Sequence, residues 1–209
     1  MKRVLTASVL IPLALYAIFW APHWFFLAVA GSMAVLCYQE FTGIVAAHGI
    51  KGPLWLGHAG VLLLLWGFEP VRLLMLLLLA ASLSVREMSR IIPFAGSILL
   101  GVVYIFGSWR CAVDLRQLSA YWILFALALN WVGDVAAFYV GRAIGRHKLA
   151  PRVSPGKSWE GALASTLAAV GFGVWFRSQV GLPVSVLEIV LLSILGNAAG
   201  QIGDLVESG

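Results

Sequence analysis

The sequence predicts an all-α, polytopic integral membrane protein of about eight transmembrane helices, with its N-terminus in the cytoplasm. Three observations carry this expectation. The chain of 209 residues is 61% hydrophobic and 11% charged, against about 45–50% and about 25% for soluble domains. Its mean hydropathy of +0.96 describes apolar surface that only lipid can cover. The apolar runs recur along the whole chain, and each crossing needs about 20 residues to span roughly 30 Å of hydrocarbon.

Between Pro, Gly and charged punctuation the runs fall at about 4–20, 24–38, 54–68, 71–85, 94–109, 118–140, 161–176 and 184–202. Lys2 and Arg3 precede the first run as in a signal peptide. Further runs follow it, however, and no A-x-A site closes it, so it reads as a retained span. With the N-terminus inside, Lys2, Arg3, Lys51, Arg86, Arg90, Arg142, Arg146, Lys148, Arg152 and Lys157 fall on the cytoplasmic side. Only Arg72, Arg110, Arg116 and Arg177 fall opposite, the bias that positive-inside topology requires. The same bias accounts for the net charge of +5 without nucleic acid as a partner. Cys37 and Cys111 lack metal-ligand or disulfide spacing. The organisation that follows is a variable multi-span region, 1–120, and a catalytic membrane region, 121–209, with a cytoplasmic basic loop at 141–160.

Three segments carry chemistry. Near the cytoplasmic end of the sixth run, Asn130 and Asp134 lie one turn apart on one helical face. An ionisable group in an apolar span is costly and normally faces a polar cavity, the plainer alternative being a helix end that reaches water. The loop after it holds Arg142, Arg146, Lys148, Arg152 and Lys157 with no acid between 142 and 157. Topology alone explains a basic loop, but here the charge alternates with glycines, which allow close backbone approach. Ser154 or Ser158 could cap the next helix, and a helix N-terminus beside cations suits phosphate. In the last run Asn197, Gln201 and Asp204 recur at i, i+4 and i+7, and Gly196 and Gly200 form a pair for close helix packing. Two carboxylates at helix ends beside a basic, glycine-rich loop are suited to Mg²⁺-assisted phosphoryl or nucleotidyl transfer. No P-loop or Rossmann fingerprint is present. His23, His48 and His58 stand alone, and His147 is a weak phosphate donor candidate.

Asp134, Gly141-Arg142, Gly145-Arg146-His147-Lys148-Leu149, Pro151, Ser154-Pro155 and Lys157-Ser158-Trp159-Glu160-Gly161, followed by Gly203-Asp204-Leu205-Val206-Glu207-Ser208, resemble the bacterial phosphatidate cytidylyltransferases, the CDP-diacylglycerol synthases. The motif-bearing match covers about 130–209. The resemblance implies a nucleotidyltransferase of phospholipid biosynthesis in the cell inner membrane, its active site facing the cytoplasm. It would make CDP-diacylglycerol and pyrophosphate from CTP and phosphatidate with Mg²⁺. It further implies Asp204 and Asp134 as metal ligands and, with Lys157, the catalytic group. Arg142, Lys148, Arg152, Ser154 and Ser158 become substrate contacts. Glu160 and Glu207 become orienting groups, and Asn130, Asn197 and Gln201 line the polar cavity. The bilayer is the further partner, and a homodimer is compatible with this reading. Family members continue past this last motif with a Lys-Arg pair, a Lys-Asp, a His-Gly-Gly and an Asp-Arg-x-Asp element whose last Asp completes the metal site. A chain ending at Gly209, with nothing supplying those residues, is expected to catalyse weakly or not at all. Two other readings stay open: a CTP-dependent polyprenol or dolichol kinase, and an ion-coupled transporter built on Asp134 and Asp204.

Overall fold

A computed structural model describes residues 2–50, 55–59, 70–85 and 87–208. Of the run at 54–68 only 55–59 falls within the described residues, and Lys51, Glu69 and Arg86 lie outside them. The chain divides into two compact units, Met1–Ala120 and Tyr121–Gly209.

In the first unit α1 is Lys2–Phe19, α2 His23–Ala47, α3 Pro70–Ser84, α4 Met88–Gly101 and α5 Gly107–Leu118, with a π-helical segment Val102–Phe106 joining the last two. The helix therefore runs on past the 94–109 stretch that hydropathy marks, because its polar residues find partners. Arg110 pairs with Asp114 one turn on, at 3.0 Å. Arg116 donates from Nε to the Ile18 carbonyl at 3.0 Å and from a terminal guanidinium nitrogen to that of Ala21. It also lies 4.7 Å from the Phe26 ring centroid. The core gathers Tyr38, Phe94, Ile98, Val102 and Phe106, all at or near zero exposure.

In the second unit α6 is Ala120–Ile144, α7 Trp159–Val180 and α8 Val186–Glu207, and β1 Lys148–Ala150 and β2 Ser154–Ser158 form an antiparallel hairpin between α6 and α7. The hairpin is the departure, among the described residues, from an all-helical chain. Its sequence explains it. Pro151 and Pro155 lack amide hydrogens and oppose helix, so the backbone groups around them pair across a turn instead. The turn is closed by the Val153 amide on the Ala150 carbonyl at 3.2 Å, with Pro151 at the position that favours Pro.

Ser158 caps α7 by accepting the Gly161 amide at 3.2 Å, so of the two serines considered for that cap it is Ser158 that serves, and Ser154 opens β2. Gly181, at φ 65°, ends α7 in the left-handed conformation. Ser185 and Glu188 close a reciprocal capping box at the start of α8.

Among the described residues, four helices are long and apolar enough to cross a membrane: His23–Ala47, Ser89–Leu118, Ala120–Ile144 and Val186–Val206. α7 covers the expected 161–176 stretch but is not among them, since its Gly, Ser and Thr residues dilute its hydropathy. They serve packing. Gly161, Ser165, Ala169 and Gly173 recur every fourth residue and are buried, a small-residue stripe that lets neighbouring helices approach closely. A Cβ on Gly161 would stand 3.0 Å from the Ala137 carbonyl oxygen, and one on Gly196 2.8 Å from Leu129. Farther along, Phe125, Leu129, Ala169, Phe176, Leu182 and Ile189 form this unit's apolar core.

Candidate active site

An open cleft of about 680 Å³ lies where α6, the hairpin, α7 and α8 of the second unit converge, a volume in the range of small-molecule sites. Helical spacing places Asp134, Phe138 and Gly141 along the face of α6 that lines it, and Gly145 follows just past the helix end. The hairpin contributes Lys148 and Lys157, α7 contributes Gly161, Ala162 and Ser165, and α8 contributes Gln201 and Asp204. Arg142 stands at the end of α6 on the same wall.

Lys157 Nζ lies 3.0 Å from Asp204 Oδ2, bridging hairpin and α8. The ammonium nitrogen is shut off from solvent and the pair lacks hydrogen-bond alignment, so the contact is charge against charge. Asp134 is within electrostatic reach of both Asp204 and Lys157. Two carboxylates thus share one cleft with three cations, Arg142, Lys148 and Lys157. This donor set fits Mg²⁺, which binds through one or two carboxylates and keeps its other positions for water and phosphate oxygens. Among the described residues no cluster of three or more His, Cys, Asp or Glu could hold a metal without such help.

The hairpin is held in place from its base. Glu160 accepts the His147 amide at 3.2 Å and its ring Nδ1–H at 2.7 Å, and the Trp159 amide donates to the His147 carbonyl at 2.9 Å. Hydrogen bonds from its own amide, then from the His147 ring, hold the Glu160 carboxyl down at about 2. His147 is therefore turned toward Glu160 and is not part of the cleft lining. Beneath the hairpin, Gly141, Gly145 and Gly161 surround the buried Ser158 hydroxyl; a Cβ on Gly145 would stand 2.6 Å from it and would strike the Gly141 carbonyl. The glycines of the loop thus serve close packing around the cap.

A side-chain network ties α7 to α8 at the floor. Asn197, 2% exposed, donates from Nδ2 to Ser165 Oγ at 2.9 Å. Its Oδ1 accepts from Gln201 Nε2 at 2.6 Å and from Thr166 at 3.1 Å. Gln201 Nε2 also donates to the Ala162 carbonyl at 3.2 Å. Asn130 donates to its own helix at Ala126, 3.1 Å away, and its side chain fills the space beside Gly200.

The structure therefore brings together at the cleft Asp134, Arg142, Lys148, Lys157, Ser158, Gln201 and Asp204 of the expected set. Asn130, Asn197 and Glu160 stand behind the lining as packing and positioning groups. Arg152 is exposed at the hairpin turn, and Ser154 pairs opposite Ala150. The side chain of Glu207 lies outside the described residues. Ser165 and Phe138 line the cleft without having been marked by sequence reasoning. Ser165 follows Gly161 by four residues, a spacing that could have revealed it.

The family model described as "Cytidylyltransferase family" matches residues 1–209. The phosphatidate cytidylyltransferase of Bacillus subtilis (strain 168) is 32% identical over 116 residues, 54% of this chain and 43% of that protein. That of Brucella suis biovar 1 is 44% identical over 86 residues, 41% of this chain and 32% of the relative. That of Staphylococcus epidermidis (strain ATCC 12228) is 33% identical over 111 residues, 53% and 43% respectively. The matched stretch thus spans less than half the length of each of these curated relatives.

Proposed function

Because the chain belongs to the cytidylyltransferase family, we propose that its cleft condenses CTP with phosphatidate at a membrane surface, giving CDP-diacylglycerol and pyrophosphate. The observation that carries this reading is the convergence of Asp134 and Asp204 with Arg142, Lys148 and Lys157 on one cleft. In the reaction a phosphate oxygen of phosphatidate attacks the α-phosphorus of CTP, and the bond from that phosphorus to the bridging oxygen breaks, so pyrophosphate leaves with the electron pair. The attacking monoester has a second pKa near 6 and is largely dianionic at neutral pH, so no protein base is required.

Catalysis then consists of holding strongly anionic groups together and in line. Lys157 and Lys148 on the hairpin and Arg142 on α6 supply the positive charge that lets two phosphate chains approach. As negative charge moves toward the leaving pyrophosphate, these fixed cations stabilise it without reorganising. Asp134 and Asp204 would hold Mg²⁺, which neutralises and orients phosphate oxygens when bound. Asp204 is already paired with Lys157, so the same contact that seats the hairpin sets cation and carboxylate side by side.

About eight crossings, a cytoplasmic N-terminus and a cleft facing the cytoplasm of the inner membrane belong to the same reading, supported by the four long apolar helices and the Lys/Arg asymmetry. Purified protein incubated with Mg²⁺, phosphatidate and CTP labelled in the cytidine and, separately, at the γ-phosphate tests the chemistry. Cytidine label in the lipid and γ-label in pyrophosphate are expected. Transfer of the γ-label to a lipid alcohol, with CDP released, would replace this reading with a lipid kinase.

A further inference from the structure

The floor of the cleft offers a hydrogen-bond pattern that the phosphate chemistry does not use. Gln201 spends both amide hydrogens inside the protein, on Asn197 Oδ1 and on the Ala162 carbonyl. Both partners are acceptors. The amide orientation is thereby fixed, and the atom Gln201 has left for a ligand is its carbonyl oxygen, Oε1. Ser165, 1% exposed, accepts from Asn197 Nδ2, and its hydroxyl hydrogen meets no acceptor among the described residues. Both side chains line the cleft. Asn197, bonded to both side chains from behind, leaves Gln201 an acceptor and Ser165 a donor toward the cleft.

We propose that Gln201 and Ser165 recognise the base of the nucleotide and select cytosine over uracil. Cytosine presents an exocyclic amino donor beside the ring-nitrogen and carbonyl acceptors, so the amine meets Gln201 Oε1 and an acceptor meets the Ser165 hydroxyl. Uracil places a carbonyl oxygen where cytosine has the amine. That oxygen would face Gln201 Oε1, two acceptors without a hydrogen between them. Gln201 cannot turn its amide to suit uracil without giving up both of these hydrogen bonds and setting its own carbonyl oxygen against the two acceptors, Asn197 Oδ1 and the Ala162 carbonyl, which is costly. The cations of the hairpin take no part in this choice, because triphosphates of either base present them with the same charge.

The proposal rests on the cytidylyltransferase reading, and competition binding separates the two. Labelled CTP bound to the full chain in nanodiscs with Mg²⁺ is displaced by unlabelled CTP or UTP, for wild type, Gln201→Met and Ser165→Ala. The wild type is expected to prefer CTP. Gln201→Met, close in volume but without the carbonyl, should lower the CTP:UTP preference roughly 10- to 100-fold, mainly by weakening CTP. Ser165→Ala, which removes one oxygen and keeps the helix packing, should lower the same ratio. A purely structural role would weaken both nucleotides alike and leave the ratio unchanged; that result in either variant that still binds CTP overturns the proposal. A wild type that binds neither nucleotide overturns the cytidylyltransferase reading and this one with it.

Discussion

Replacing Lys157 with Met keeps the length of the side chain and deletes the charge 3.0 Å from Asp204. Coulomb attraction at that separation is about 1.4 kcal/mol at the dielectric of water and about 5.5 kcal/mol at an effective dielectric of 20. Asp204 is 55% exposed, so solvent screening favours the lower figure. The lysine competes with a metal for this carboxylate, and its removal should tighten binding of Mn²⁺ alone by about tenfold, the equivalent of about 1.4 kcal/mol. Transfer should move the opposite way. A cation placed where phosphate charge develops is worth about 10²–10³ in rate, so Lys157→Met should lower cytidylyl transfer by that factor while Lys157→Arg retains more. Electron paramagnetic resonance of free and bound Mn²⁺ reads the first effect, and incorporation of labelled cytidine into lipid reads the second. Unchanged Mn²⁺ affinity with transfer close to wild type would refute the placement of Lys157 between metal site and phosphates.

Three further outcomes follow from the same geometry. Asp204→Asn should abolish transfer with no loss of protein from the membrane; retained turnover would remove Asp204 from the metal site. Gly145→Ala should destabilise the hairpin base by about 1–3 kcal/mol, the usual range for overpacking, because the added methyl meets the Gly141 carbonyl and the Ser158 hydroxyl; a thermal-shift measurement in detergent checks it. The Glu160 carboxyl, held at about 2 by its own amide and by His147, is depressed below its ordinary 4.5. Its contribution to the hairpin latch is therefore complete above that ordinary value and lost as pH falls from there through about 2. Hydrogen exchange of the His147 amide, corrected for intrinsic rate, should stay protected from neutral pH down to about 5 and lose protection below. Glu160→Gln should show the loss at neutral pH.

The helices were legible because their cause is local. Apolar stretches long enough to span a bilayer announce α6 and α8, and Ser158, one of the two serines the sequence offered as a cap, starts α7 by chemistry confined to a few residues. The charged end of α5 was not legible, because what holds Arg116 in helix is the pair of carbonyls at Ile18 and Ala21, nearly a hundred residues earlier. The basic segment between α6 and α7 read as a loop since Pro and Gly exclude helix there; its pairing into a hairpin depends on how α6 and α7 place its two ends.

At the site, residue type and spacing alone singled out Asp134, Arg142, Lys148, Lys157 and Asp204, because isolated charge in so apolar a chain demands a reason. Which of the polar residues face the cleft was decided by packing. Asn197 and Gln201 occupy the same helical stripe, yet one is enclosed against Ser165 and Thr166 while the other reaches the lining. Glu160 and His147, both within the basic segment, satisfy each other instead of a ligand. The sequence by itself determined that this chain belongs in lipid and that its charge is concentrated near a few helix ends. Only the tertiary structure decided which of those charges meet, because an ion pair such as Lys157 with Asp204 joins residues from separate elements, and their separation depends on how the hairpin packs against α8, which composition and periodicity do not encode.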